Sequence, residues 1–220
     1  MRSLSYLEDR MTTQQVKPHS KTEAKKRQII EKSLVCFVEH GVSGTTIEML
    51  RDATGTSVGS LYHHFGNKEA IASAVFIEGM KDFGTLALTY LSDLESKELP
   101  LLEKAEQAIK VMVYANVDWI SKNPDWARFV FQHRRIVSQG KGGDVLKNDT
   151  TSFYRKLIEF KAPLVEAGLL KDLPIELYGS FISGPVHDYA RHYLAGRNAV
   201  PLTEFREVFA NGAWDALRAG

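Results

Sequence analysis

The chain has 220 residues, 44% of them hydrophobic, which is enough to bury a sizeable core without metals or disulfides. Its 28 Lys and Arg against 27 Asp and Glu leave a formal net charge of +1, so overall charge names no partner. Cys36 is the only cysteine, which excludes an intrachain disulfide and fits a cytoplasmic protein. No apolar run approaches the length of a bilayer span, so no membrane role is expected.

In chain order, residues 1–20 read as a polar, poorly ordered leader, because Arg2, Glu8, Asp9 and Arg10 interrupt any apolar run that a signal peptide would need. Between Lys17 and Val35 the charge becomes uneven. Six basic residues (Lys17, Lys21, Lys25, Lys26, Arg27, Lys32) face two acidic ones (Glu23, Glu31). Such a stripe fits a phosphate-facing surface or, equally, a solvated helix face.

From there on the pattern is helical throughout, with no strand alternation, internal repeat or low-complexity tract. Ile30, Ser33, Leu34, Phe37 and Val38 place one stripe on a first helix over 22–40, and Gly41 ends it. Thr45-Thr46-Ile47-Glu48 predicts a capping box, with Thr45 as N-cap and Glu48 at N3, opening a second helix that stops at Thr54-Gly55-Thr56. A third, short helix follows from Ser57 to Phe65. Gly66-Asn67 then caps a long fourth helix to about Leu94. Further helices are expected over 100–121, from Asn123-Pro124 to Ser138, and over 149–167, 175–195 and 202–218. Residues 138–143 read as a flexible glycine-rich loop. It is not a phosphate-binding loop, because Arg135 stands where that motif needs its first glycine.

Two short helices joined by a tight glycine turn form a helix-turn-helix, whose second helix enters the major groove of DNA. Gly55 permits the turn, Leu50, Ala53 and Leu61 can lock the helices together, and Ser57 can cap the second. Small or polar side chains at Ser57, Gly59 and Ser60 let that helix approach DNA end-on, where its free N–H groups favour phosphate.

The residues carry more than this geometry. Ile29-Ile30, Phe37 and Gly41, then Thr45-Thr46-Ile47 and Leu50, then Gly59-Ser60-Leu61-Tyr62-His63-His64-Phe65 with Lys68-Glu69, together resemble the tetracycline-repressor (TetR) family. The match covers about residues 22–75; beyond it only length and helical pattern agree. The resemblance implies an all-α fold of about nine helices. A helix-turn-helix domain at 21–66 would be followed by a ligand-binding and dimerisation domain at 67–220. It also implies a dimeric repressor on a palindromic operator in double-stranded DNA, released by a small apolar or aromatic effector, with no cofactor and no enzymatic activity.

Carried over residue by residue, the family pattern puts Tyr62 and Lys68 on phosphates and Thr45 and Thr46 at the DNA backbone. Ser57, Val58, Ser60 and His63 would face bases, with Gly59 between them. The plainer readings are a half-buried aromatic for Tyr62 and a solvated charge for Lys68. Three positions depart from the pattern: Arg51, Thr56 and Val58. Arg51 can turn outward to phosphate, and Val58 suggests contact with a thymine methyl.

In the C-terminal half, Tyr114, Asn116, Trp119, Trp126, Phe129, Phe131 and His133 mix aromatic with polar groups, as ligand pockets do. Tyr114, Trp119, Trp126, Phe129 and His133 are the candidate effector contacts, with core packing the alternative for each. His187, Asp188 and His192 lack a third convergent ligand and do not make a metal site. The last two helices carry apolar stripes suited to a dimer interface or to intrachain core. Two rival functions remain: the same fold answering to a protein partner or to no ligand, and an all-helical enzyme, for which neither a nucleophile–base pair nor a metal set is visible.

Overall fold

The computed structural model describes the backbone of residues 21–138 and 143–220, and their side chains outside 134–152. The expected leader and most of the expected glycine-rich loop lie outside these residues. The described residues form nine α-helices: α1 (Lys21–Gly44), α2 (Ile47–Thr54), α3 (Val58–Phe65), α4 (Lys68–Glu95), α5 (Leu101–Lys122), α6 (Pro124–Ser138), α7 (Gly143–Glu166), α8 (Ile175–Leu194) and α9 (Arg206–Leu217). A 3₁₀ turn at Leu202–Phe205 leads into α9, so the stretch expected as one final helix is divided. The all-α class is therefore as expected, and no helix among the described residues is long and apolar enough to cross a membrane.

Most boundaries follow from the local chemistry. Gly41 adopts φ +68°, a left-handed conformation that breaks α1 before one further turn ends at Gly44. Asn123 closes α5 by donating its side-chain amide to the Trp119 carbonyl at 3.0 Å, and Pro124 opens α6. α7 begins at Gly143, six residues before the expected start at 149. Residues 143–148 hold only two adjacent apolar residues, Val145 and Leu146, too few to set a helical period, so the pattern marks only where the longer stripe begins.

Two apolar clusters build the interior. The first joins Ile29, Leu34 and Phe37 of α1 with Leu50, Leu61 and the α4 residues Ile71, Val75 and Phe76; Phe129 of α6 belongs to it as well. The second is larger and centres on α5, whose Ala105, Ile109, Val113, Val117 and Ile120 meet α4, α8 and α9. Each large apolar side chain so buried contributes about 1.5–3 kcal/mol. Trp126 and Val130 of α6 pack against both clusters. The chain end is tied back: the Lys171 N–H donates to the Leu217 carbonyl at 2.9 Å, and the Ala219 N–H to the Leu169 carbonyl at 3.0 Å.

Candidate nucleic-acid interface

The α2–α3 unit is held by three local devices. Thr46, not Thr45, is the N-cap of α2; its hydroxyl accepts from the Met49 N–H at 3.2 Å, and Met49, not Glu48, stands at N3. The expected assignment is off by one for a tertiary reason. Thr45 is 1% exposed, and its hydroxyl donates to the Gly41 carbonyl at 2.7 Å and lies 3.3 Å from that of Cys36. It thus serves the end of α1, leaving the cap to its neighbour. At the other end of α2, Gly55 turns the chain at φ +63°, where a side chain would be strained. Ser57 then caps α3, accepting from the Ser60 N–H at 3.3 Å.

Leu61 is fully buried and seats α3 on the first cluster. The opposite face is open. Ser57, Gly59, Tyr62 and His63 are exposed, Val58 and Ser60 are half-buried, and Thr46 stands exposed at the start of α2. Tyr62 is 48% exposed, which leaves about half of its surface open. His63 and His64 stack edge to face with centroids 5.4 Å apart. Arg51 does turn outward. There its Nε lies 2.7 Å from Asp52, whose carboxylate raises the pKa of Arg51 through a side-chain hydrogen bond while its own is lowered by the same bond.

The Lys68 ammonium donates to the Thr45 carbonyl at 2.8 Å, a contact beyond the phosphate and solvent readings. The first residue of α4 is thereby tied to the entry of α2. Nothing in the local sequence signals this bond, which spans 23 positions. On α1, Lys21, Lys26, Arg27 and Lys32 are exposed as a basic stripe should be, with Arg27 paired to Glu31 at 3.0 Å.

The structure divides the candidate effector residues. Tyr114 faces α9, donating to Glu207 at 2.9 Å under the Arg206 guanidinium, 3.8 Å from its ring; burial and that bond push its pKa up to about 12. Trp119 is 4% exposed and donates from Nε1 to Asp82 at 2.9 Å. Trp126 covers Gly79 of α4. Phe129 stacks on Phe37 of α1 at 5.8 Å, and His133 lies 4.6 Å from Phe129, its pKa lowered by burial. These five fall at four separate contacts among the described residues.

Other polar contacts inside the C-terminal half were not signalled by sequence. Asp118 binds Tyr90 at 2.7 Å and Arg206 through two nitrogens, at 2.9 and 3.2 Å. Asn116, 1% exposed, sits 2.9 Å from His187 Nε2. Asp188 pairs with Arg191 at 2.8 Å, and no group of three potential metal ligands occurs among the described residues.

Comparison with known proteins converges on the N-terminal region. Residues 29–75 match the family model of bacterial regulatory proteins, tetR family. Over 50 residues the chain is 44% identical to the HTH-type transcriptional repressor AcnR of Corynebacterium efficiens, covering 23% of this chain and 27% of that one. Over 88 residues it is 28% identical to the repressor DhaR of a Mycobacterium species, covering 40% and 43%. The match thus spans about a quarter of the length of AcnR. Among solved structures, a TetR family regulator from Marinobacter aquaeolei superposes with a TM-score of 0.67 at 20% identity, over 90% of this chain and 97% of the other. One from Shewanella does so with the same score at 23% identity, over 89% and 99%. At such identities the likeness is one of fold. Residues 29–75 thus carry the helix-turn-helix sequence of the tetR family of bacterial regulatory proteins, and the nine helices of the described residues have the fold of the TetR family structures.

Proposed function

We propose that this protein is a cytoplasmic transcriptional repressor that binds operator DNA as a two-fold dimer and is released by a small-molecule effector. The observation that carries the reading is the exposed face of α3: Ser57, Gly59, Tyr62 and His63 stand clear of a helix whose other side is anchored by Leu61. Ser57 and the helix N-terminus suit close approach to phosphate, and Ser60 and His63 are the side chains assigned to base edges. Val58 offers an apolar edge, and Thr46 at the start of α2 and Tyr62 on α3 itself are assigned to the DNA backbone. The DNA-binding unit includes the opening turns of α4, since Ile71, Val75 and Phe76 share the first apolar cluster.

A fragment-selection experiment tests this. Purified protein mixed with genomic fragments should retain a small set that shares an inverted repeat. Replacing Ser60 or His63 should change which base pairs are preferred within it. Retention of fragments without a shared sequence would defeat the reading.

A further inference from the structure

A cleft of about 460 Å³, half open to solvent, lies where the α5–α6 corner faces the segment joining α8 to the 3₁₀ turn. Its volume lies in the range of small-ligand sites. Ile120 and Leu202, 2% and 1% exposed, are its deepest apolar residues; Ser121, Asn198 and Thr203 bring hydrogen-bonding groups, and Arg128 brings a guanidinium. Among the described residues, Arg128 donates to the Asp125 carboxylate at 2.7 Å and to the Leu194 carbonyl at 3.4 Å. The first is an ion pair at the surface, which contributes little, and the second is long. A carboxylate from outside can therefore displace either at small cost and gain the paired geometry that guanidinium favours.

The other side of α6 gives this cleft its consequence. Trp126 lies about 200° around the helix from Arg128 at 100° per residue. It presses on α4 at Gly79, where an added Cβ would stand 2.8 Å from the Trp126 ring. Phe129 stacks on Phe37 of α1. One rigid helix thus carries the cleft on one face and the core beneath the DNA-binding helices on the others.

We propose that this cleft is the effector site, and that it takes a small organic carboxylate with a short apolar body. The carboxylate engages Arg128 while the body packs on the accessible Pro124, Tyr193 and Pro201, above the buried Ile120 and Leu202. Displacing the Arg128–Leu194 contact frees α6 from the end of α8 and shifts Trp126 and Phe129 against α4 and α1. The assignment rests on the reading of the protein as a ligand-released DNA binder.

Octanoate is the probe, with 1-octanol as its neutral counterpart, on the full chain by calorimetry and by operator titration. Octanoate should bind saturably and more tightly than 1-octanol, and it should release the operator. Arg128→Met should weaken octanoate binding about tenfold or more, the loss of a charge-assisted bond. Arg128→Lys should restore part of it, and Thr203→Trp, which fills the cleft from the opposite wall, should weaken it independently. Absence of saturable binding, or binding unaltered in both Arg128→Met and Thr203→Trp, overturns the site. Binding through Arg128 with the operator still held overturns its effector role. Failure of the unliganded protein to bind any selected DNA, with octanoate still bound through Arg128, instead defeats the DNA-binding reading.

Discussion

Two adjacent threonines with the same side chain end in opposite environments. Thr46 is exposed and caps α2, while Thr45 is buried and serves the end of α1. Thr46→Ala should therefore cost about 1 kcal/mol of stability, and it should weaken operator binding because the cap stands at the open face. Thr45→Val keeps the shape but removes a hydroxyl bonded inside the fold, so it should lower stability with little direct effect on DNA contacts. Urea unfolding and operator titration of the two variants check this; equal effects of both on DNA affinity would refute the division. The sequence pattern pointed one residue early because a capping box is recognised from local spacing, and the Gly41 and Cys36 carbonyls that claim Thr45 belong to another element.

Lys68 poses a related question at the same scale. Its ammonium has three N–H groups, and the Thr45 carbonyl takes one. Lys68→Ala should weaken binding to all sequences alike. If the remaining protons reach a phosphate, the salt dependence flattens by about one charge per subunit. If Lys68 acts only by fixing α2 to α4, affinity falls with the salt slope unchanged. The slope of log affinity against log salt separates the two.

Among the elements, α6 joins the two clusters. Its start was legible from Asn123-Pro124, and its aromatic content from composition. Its neighbours were not, because periodicity gives the angle of a side chain around its own helix and says nothing of what lies opposite. Trp126 packs on Gly79 and Phe129 on Phe37, neighbours that the period of their own helix cannot name. Gly79→Ala should force overlap with Trp126 and Val130 and destabilise the protein by about 1–3 kcal/mol, seen as a lower unfolding midpoint. A neutral effect would mean that α6 moves freely over α4.

His133, on the same helix, supplies a pH test. It interrupts the helical geometry at φ −116°, ψ 19°, and burial lowers its pKa from the ordinary 6.5. A group with a depressed folded-state pKa contributes stability that is present above its unfolded value and lost as pH falls through the folded one. Stability should therefore decline below about pH 6.5, and His133→Gln should flatten that part of the profile. An unchanged profile in the variant would assign the acid loss to other groups.

For the whole molecule, the helices of the described residues were readable from punctuation and apolar stripes, and a small N-terminal unit ahead of a larger helical one from the family resemblance. The faces left for a partner were only half readable. α8 and α9 each carry apolar residues beyond what the interior consumes: Tyr178, Ile182 and Val186 of α8 are buried, whereas Leu177 and Phe181 are 43% and 42% exposed. On α9, Ala213 and Leu217 are buried and Val208 is 64% exposed. Phe209 is part of the protein's own packing, its ring 5.9 Å from Tyr189 and 6.4 Å from Phe205. A charge at Phe209 would disturb the protomer itself, so it is a poor probe of assembly. Val208 and Phe181 are better ones, because each is already accessible in the single chain.

One recognition helix reads only a few base pairs, and a palindrome is read by two held about one DNA turn, or a multiple of it, apart. If the outer faces of α8 and α9 pair with those of a second copy, Val208→Asp and Phe181→Asp each place an unpaired charge in that interface, where burial is costly. Sedimentation at micromolar concentration should give a wild-type dimer and two folded monomeric variants with unfolding midpoints close to the parent. Both variants should lose tight binding to the full palindrome while retaining weak, salt-sensitive attachment to any duplex, since α3 is untouched. A wild-type monomer would defeat this arrangement at once. Variants that stay dimeric would place the two-fold axis on another surface of the molecule.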